Sequence, residues 1–378
     1  MGAVAERLTE KDYDEALYVL NTSFSREGAP AEFREKLPIM WTREKDYMRL
    51  HFGVREDGKL KAIVGVYPLP VRVAGRELLF STVGNVGTLP EARGRGFMKM
   101  LMAEAMRELE RIGADVSRLG GLRSRYNRFG YDHCGTAYHF RLTARNAGEK
   151  PSKAAYTFRE IGRDDQAGLD FARFCHRRAG MYAVRRTDTD FYMSCRAWSN
   201  RPYLALDAAG KPAGYLCASP DGANVAEQGV ASGSPVDMLT AWLVYRGLDQ
   251  VSFRLAPFET EAVTDALARC EGWSVSDPSM FRIIHWDTAA EAFLALRAQM
   301  APLPDGEFRL GIDGWGTLTL KVQAGIPYAQ RTDDAPELTL DRLAAARLLF
   351  GPMKLPVPNP AAQAWLPLPL SWNGQDRV

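Results

Sequence analysis

The feature that most restricts the fold is a change of hydrophobic period at Pro90. Upstream, YMRLHFGVRE, LKAIVGVYPLPVRV and ELLFSTVGNVGTL are three β-rich runs parted by the turn dipeptides Asp57-Gly58 and Ala74-Gly75. They predict an antiparallel meander. Downstream, Phe97, Leu101, Ala105 and Leu109 recur every four residues, and Met98, Met102 and Ile112 widen the stripe. That spacing predicts a helix with one face committed to the sheet. Ala114–Leu119 reads as the next strand. The join is short and contains Arg93-Gly94-Arg95-Gly96. A strand that enters a helix through such a turn presents unpaired N–H groups and the positive end of the helix dipole beside two residues without a Cβ, which suits a diphosphate. Arg93 and Arg95 add positive charge. Two other phosphate motifs are excluded: a dinucleotide fingerprint needs Gly or Ala where Lys99 stands, and no G-K-[ST] sequence occurs.

The rest of the chain predicts more of the same class, a mixed α/β (α+β) fold. A helix carries Tyr13, Ala16, Leu17 and Leu20. From about residue 150 a similar order returns without the Gly/Arg turn: strands near 156–161, 203–208, 213–217, 250–255 and 281–286, with helices near 165–178, 236–246 and 260–270. This second stretch reads as a degenerate copy of the first. The last ninety or so residues begin with the helix AAEAFLALRAQM, continue into the strand pair FRLGIDGWGTLTLKV, and reach a second helix, LTLDRLAAARLLF, that Gly351 stops. The tail LPVPNPAAQAWLPLPLSW is too apolar for a solvated linker and is expected to pack on the protein.

At 378 residues the chain exceeds one ordinary core, so two or three domains are expected. A formal charge of +2 gives no global field for nucleic acid. The five cysteines, Cys134, Cys175, Cys195, Cys217 and Cys270, have neither CxxC spacing nor an even count, and read as reduced thiols of a cytoplasmic protein without a metal site. No apolar run is long enough to span a bilayer. The N-terminus has acidic residues where a signal peptide needs an apolar core, and Glu6 does not fit a myristoylation signal.

The run V-x-T-x-P-x-x-R-x-R-G-F-M, residues 86–98, resembles the acetyl-CoA diphosphate motif of GNAT acetyltransferases, with Met98 in place of the usual final small residue. Arg125-Tyr-Asn-Arg-Phe-Gly-Tyr131 resembles the Y-x-R-F-G-Y segment of one subgroup, the enhanced intracellular survival (Eis) type. The resemblance implies three domains: a catalytic GNAT unit over 1–150, a degenerate GNAT-like unit over 151–287, and a sterol-carrier-protein-like domain with a C-terminal tail over 288–378. It implies acetyl-CoA as co-substrate and no metal. Backbone groups of Val86, Gly87 and Thr88 would hold the pantetheine arm, and those of Arg93, Gly94, Arg95, Gly96, Phe97 and Met98 the diphosphate. Tyr126 falls at the family's catalytic tyrosine, a phenol able to protonate the departing thiolate. The family's base is the chain's own terminal carboxylate, here that of Val378, with Asp376 as a rival; His133 and His139 read as structural. Trp41 and Asn85 are candidates for the acceptor pocket. The acceptor would be an aminoglycoside-like molecule, a lysine side chain or another small primary amine, and the assembly a homo-oligomer, a hexamer in the family. Two other readings are a non-catalytic acyl-CoA sensor and a lipid-binding protein acting through the C-terminal domain.

Overall fold

The computed structural model describes residues 4–27, 29–146, 156–178, 181–188, 190–372 and 374–376. The first unit begins with β1 (Ala5–Arg7), α1 (Tyr13–Ser23) and the short α2 (Phe33–Lys36). The meander follows as β2 (His51–Glu56), β3 (Lys59–Val73) and β4 (Arg76–Thr88), then α3 (Phe97–Arg111) and β5 (Val116–Leu119). Next come α4 (Arg123–Tyr126), β6 (Asp132–Cys134) and β7 (Ala137–Thr143). Helix α3 forms where its spacing predicts: Phe97, Leu101, Met102, Ala105 and Leu109 are buried against the meander. Glu108 on the same helix is buried too, between the guanidiniums of Arg7 and Arg111, both at 2.7 Å.

The second unit repeats the plan with β8 (Tyr156–Glu160), α5 (Gln166–Arg178), β9 (Tyr182–Val184), α6 (Phe191–Cys195), β10 (Arg201–Asp207), β11 (Pro212–Ala218) and β12 (Asn224–Val230). It continues through α7 (Pro235–Tyr245), β13 (Gln250–Leu255), α8 (Thr260–Arg269), β14 (Gly272–Ser276) and β15 (Ser279–Ile283). In each unit a helix crosses over between two parallel neighbours, β4–α3–β5 in the first and β12–α7–β13 in the second. Strand order is β1-β2-β3-β4-β5-β15-β6 in one sheet and β8-β10-β11-β12-β13-β7-β14 in the other. The two orders superimpose position for position, with one reciprocal exchange, and β9 additionally joins the first sheet at the end of β3. β15, late in the chain, sits between β5 and β6 of the first sheet, while β7 sits between β13 and β14 of the second. Sheet membership therefore crosses chain position 150 in both directions. The exchange ties the two units to each other, and residues of both line the cleft described below.

The third part comprises α9 (Trp286–Met300), β16 (Gly306–Ile312), β17 (Gly316–Gln323), β18 (Ile326–Thr332), β19 (Leu338–Leu340), α10 (Arg342–Phe350) and α11 (Pro360–Trp365). The run LTLDRLAAARLLF is not one helix. Leu338–Leu340 pairs in parallel with β16, and Asp341 starts α10 by accepting the amides of Leu343 (2.8 Å) and Ala344 (2.9 Å). The core of this part is continuous with Val71, Val73 and Phe80 of the long β3–β4 hairpin. Trp286, which the sequence places at the end of a strand, instead opens α9. No helix among the described residues is long and apolar enough to cross a membrane.

The apolar tail docks as expected. Trp365, Leu366, Leu368, Leu370 and Trp372 are buried. Leu368 N–H donates to Leu349 O (2.7 Å), Leu370 O accepts from Thr136 N–H (2.7 Å), and Ser371 O accepts from the Tyr182 hydroxyl (2.9 Å). The Trp372 ring stacks on Phe80 at 5.5 Å. All five cysteines are free thiols, and four of them are buried.

Candidate active site

The ladder between β4 and β5 stops at Val83↔Leu119, and beyond it β4 runs on beside β3 alone. There the register slips: Gly84 faces Gly65 and Gly87 faces Ile63, so Asn85 and Val86 together stand opposite Val64. This bulge puts Asn85 at φ +52°, a conformation asparagine tolerates better than most residues with a Cβ. The result is an open V between two parallel strands, bordered by backbone that β5 does not satisfy.

Behind the bulge lies a buried polar chain. Asn85 Nδ2 donates to the Tyr67 hydroxyl (2.5 Å), which meets His51 Nε2 at 2.7 Å, while His51 Nδ1 lies 3.0 Å from Tyr47 O. Burial holds His51 down at about 4 and pushes the Tyr67 phenol up. A histidine held neutral in this way costs the fold stability as pH falls from the unfolded value near 6.5 toward 4, up to about 3 kcal/mol. In a side-chain NMR titration His51 is expected to show no protonation step above pH 5; a midpoint near 6.5 would mean that the chain opens to solvent. Among the described residues Asn85 Oδ1 is buried without a hydrogen-bond partner, and Asn85 lines the cleft.

That cleft is a cavity of about 1290 Å³ between the two units. Asn85, Val86 and Tyr126 are in its wall; Gly87, Thr88 and residues 93–98 continue along β4 and into α3 outside it. Trp41 is not in the wall. It is buried behind the bulge, edge-on to Tyr13 at 5.8 Å and tilted on His51 at 5.3 Å, with its carbonyl accepting from the Tyr13 hydroxyl. A tryptophan in a loop-like stretch looks the same in sequence whether it faces a ligand or the core.

Tyr126 ends the four-residue α4 and is 4% exposed. Burial raises its phenol above the ordinary value, and Arg125 pulls the other way. Gly121, at φ +139°, lies under the ring: a Cβ there would come within 2.8 Å of it, so this glycine sets the position of the phenol. The helix is tied down by Arg123, which donates to Asp132 (2.5 Å), and Asp132 also takes Arg347 from α10. His133 pairs with Asp277 (2.8 Å) and His139 with Ser276 Oγ (2.7 Å), although His139 also lies in the cavity wall.

Gly94 and Gly96 have φ of +78° and +81°, with no atom within 4 Å of where a Cβ would be. The loop is thus open on the side that a diphosphate would approach, and Gly96 caps α3. Arg93 donates to Ser23 O (3.2 Å). Arg95 is engaged by the Glu56 carboxylate through both guanidinium nitrogens, so its charge is largely compensated.

The second unit has the same V between β12 and β13, which pair only at Asn224 and Val225. Its helix entrance differs in three ways. Pro235 removes one N–H, Ser234 Oγ caps that of Val236 (3.2 Å), and Asp237 puts a carboxylate in the first turn. Gln228 also bridges the V to Arg254 O at 2.7 Å. These changes disfavour an anion at the α7 entrance.

The end of the tail is held by a buried ion cluster. Arg186 donates to Asp376 (2.8 and 3.0 Å) and to Glu227 (2.9 and 2.5 Å), and Glu227 also accepts from Tyr215. Gln375 donates to Cys195 O (2.7 Å), and its own carbonyl accepts from Asn200 (2.9 Å). Both Asp376 oxygens are engaged, so this rival to the terminal carboxylate is an anchor. Val378 lies outside the described residues. Neighbouring Gly374 lines the cavity. Cys195, Cys217 and Glu227 bring their ligand atoms within 4.8 Å of one another, but this group is inside the second unit and its carboxylate is already taken by Arg186 and Tyr215.

With that geometry established, residues 5–134 match the acetyltransferase (GNAT) domain family. The chain carries an acetyltransferase domain, and the class of enzyme so defined is an N-acetyltransferase. No curated protein matches the chain in sequence. In fold it is similar over its whole length to a probable N-acyltransferase from Enterococcus faecalis V583 (15% identity, 98% of each chain, TM-score 0.69). It is also similar to a GCN5-related N-acetyltransferase from Kribbella flavida (20%, covering 92% of this chain and 88% of that one, TM-score 0.65). Eis1 from Mycobacterium abscessus is a third such neighbour (16%, 99% of each chain, TM-score 0.65).

Proposed function

We propose that the chain transfers the acetyl group of acetyl-CoA directly to a primary amine in the cleft between the two units. The observation that carries this reading is the juxtaposition, in one cavity wall, of the β4 bulge and a buried phenol held protonated. Acetyl-CoA supplies an activated thioester. Backbone N–H groups of the open Arg93–Met98 turn and of the α3 entrance would take its diphosphate, and the unpaired backbone of Val86 to Thr88 its pantetheine arm. As the amine nitrogen bonds to the carbonyl carbon and the C–S bond breaks, Tyr126 gives its proton to the sulfur. The amine's proton would go to a carboxylate at the chain end, the family's base, whose approach segment is anchored at Asp376 by Arg186. That the tail reaches Gly374 in the wall supports Val378 over Asp376 in this role. A homo-oligomer and a sterol-carrier-like third domain remain part of the same family reading. A lipid-binding role in that domain gains no support, since the large cleft lies between the first two units.

Thiol release from acetyl-CoA in the presence of a panel of amines tests the reading. Gly96→Val isolates the cofactor half. A β-branched residue at φ +81° is strained by about 1–2 kcal/mol and blocks close approach to the turn. Calorimetry is expected to show acetyl-CoA affinity reduced at least tenfold, far beyond what the modest loss of stability explains. Unchanged affinity would remove the diphosphate from this loop.

A further inference from the structure

The cavity wall contains six cationic side chains, Arg26, Lys36, Arg118, Arg125, Arg141 and Arg254. It contains no aspartate or glutamate among the described residues. The whole chain has 48 basic and 46 acidic side chains, so this is a local segregation of charge. Ion pairs elsewhere are numerous, yet among the described residues none engages Arg26, Lys36, Arg125, Arg141 or Arg254. Arg254 is partly buried, and burial lowers its tendency to hold the proton. A partly buried guanidinium without a carboxylate is costly unless an anion from outside completes it. The rim adds Phe24, Leu122, Trp198 and Trp273, all exposed in the free protein and all in the same wall.

Resting on the transferase reading above, we propose that the acceptor is a small primary amine that also carries an anionic group, a carboxylate or a phosphate, on an apolar or aromatic body. A polycationic amine would meet the like charges of Arg26, Lys36, Arg125, Arg141 and Arg254 and no aspartate or glutamate among the described wall residues, which disfavours it by several-fold per extra charge. An anionic group reverses that term, because a guanidinium binds carboxylate or phosphate through two parallel hydrogen bonds. The same field assists the chemistry. Neighbouring cations disfavour the ammonium form of the bound amine and so release the free base that attacks. The concave shape and volume suit a small molecule rather than a duplex.

Three amines that share one ring and one reacting aminomethyl group separate the possibilities: 4-(aminomethyl)benzoate, benzylamine and 1,4-bis(aminomethyl)benzene. The expected order of kcat/KM is the zwitterionic benzoate, then the monocation benzylamine, then the dication, with the ends at least about tenfold apart and converging at high salt. Arg141→Gln, at an exposed position that leaves the core intact, is expected to raise KM for the benzoate several-fold while leaving the acetyl-CoA Kd unchanged. A rise in the acetyl-CoA Kd instead would assign that charge to CoA phosphates. Equal or reversed ranking of the three amines would overturn the proposal. If none of the three is acetylated, the transferase reading has failed separately. Calorimetry of the benzoate against the dication on CoA-loaded protein then decides the anion preference by itself: tighter benzoate binding upholds it, and equal or weaker binding ends it.

Discussion

Tyr126→Phe is expected to lower kcat about a hundredfold or more while leaving acetyl-CoA affinity within twofold of the parent. The phenol is raised by burial, so it is protonated throughout the neutral range and is available as an acid, not a base. Loss of one oxygen from a ring held by Gly121 leaves packing nearly unchanged, since the contact under the ring is made by its carbons. The effect is therefore expected in the chemical step and not in stability. It also separates an enzyme from a sensor of acyl-CoA, for which the hydroxyl is dispensable. Single-turnover rates with a good amine measure it; a variant as fast as the parent would assign protonation of the thiolate to another donor.

The first unit was legible in sequence because its signals are local. Three β-runs bounded by turn dipeptides, a four-residue hydrophobic spacing and a Gly/Arg turn each follow from nearest-neighbour physics. β2, β3, β4 and α3 form where those signals stand. The positive φ of Gly94 and Gly96 is the structural content of the motif. Long-range pairing was not legible. β7 and β15 are ordinary short strands in sequence, and nothing local records that each completes the other unit's sheet. β12 escaped notice because NVAEQGV carries a glutamate and a glutamine. The glutamate is Glu227, which is buried because Arg186 compensates it, and a partner forty-one residues away leaves no trace in hydropathy.

The site divides along the same line. Tyr126 and the glycine turn were marked by motif, whereas Gly121, the His51–Tyr67–Asn85 chain and the cationic wall needed tertiary contacts. Asn85 was singled out, but its strained backbone could not be. The tail's apolar run predicted docking, and docking is observed, but the sequence offered Asp376 as a rival base and gave no sign of its pairing with Arg186. Reading it as an anchor changes what its substitution should do. Asp376→Asn, which the sequence reading would leave tolerated if the terminal carboxylate is the group that acts, is expected to weaken the pairing with Arg186 and to lower activity in proportion.

Arg186→Met is expected to destabilise the fold by about 3–5 kcal/mol at neutral pH, because it leaves two buried carboxylates without their cation. The pH dependence distinguishes this cause from simple loss of packing. In the parent, burial opposes the charge on Glu227, but Arg186 and His176 outweigh it and hold the carboxyl well below its usual range. A carboxyl lowered on folding contributes stability above its unfolded value near 4.3, and that contribution fades as pH falls toward the folded value. In the variant the same carboxyl keeps the burial and loses the cation, so its folded value rises and acid relieves the strain. The gap in unfolding free energy between parent and variant should accordingly narrow between pH 7 and pH 5. Denaturant titrations at the two values measure it. A gap that stays constant would mean that the cost is steric. Activity carries the second readout. If the cluster positions the chain end for catalysis, the surviving folded variant should bind acetyl-CoA normally and turn over slowly. Glu227→Gln, which leaves the Arg186–Asp376 pair in place, should retain most of the rate. Equal loss in both variants would mean that the cluster serves folding alone and that the tail needs no anchor to act.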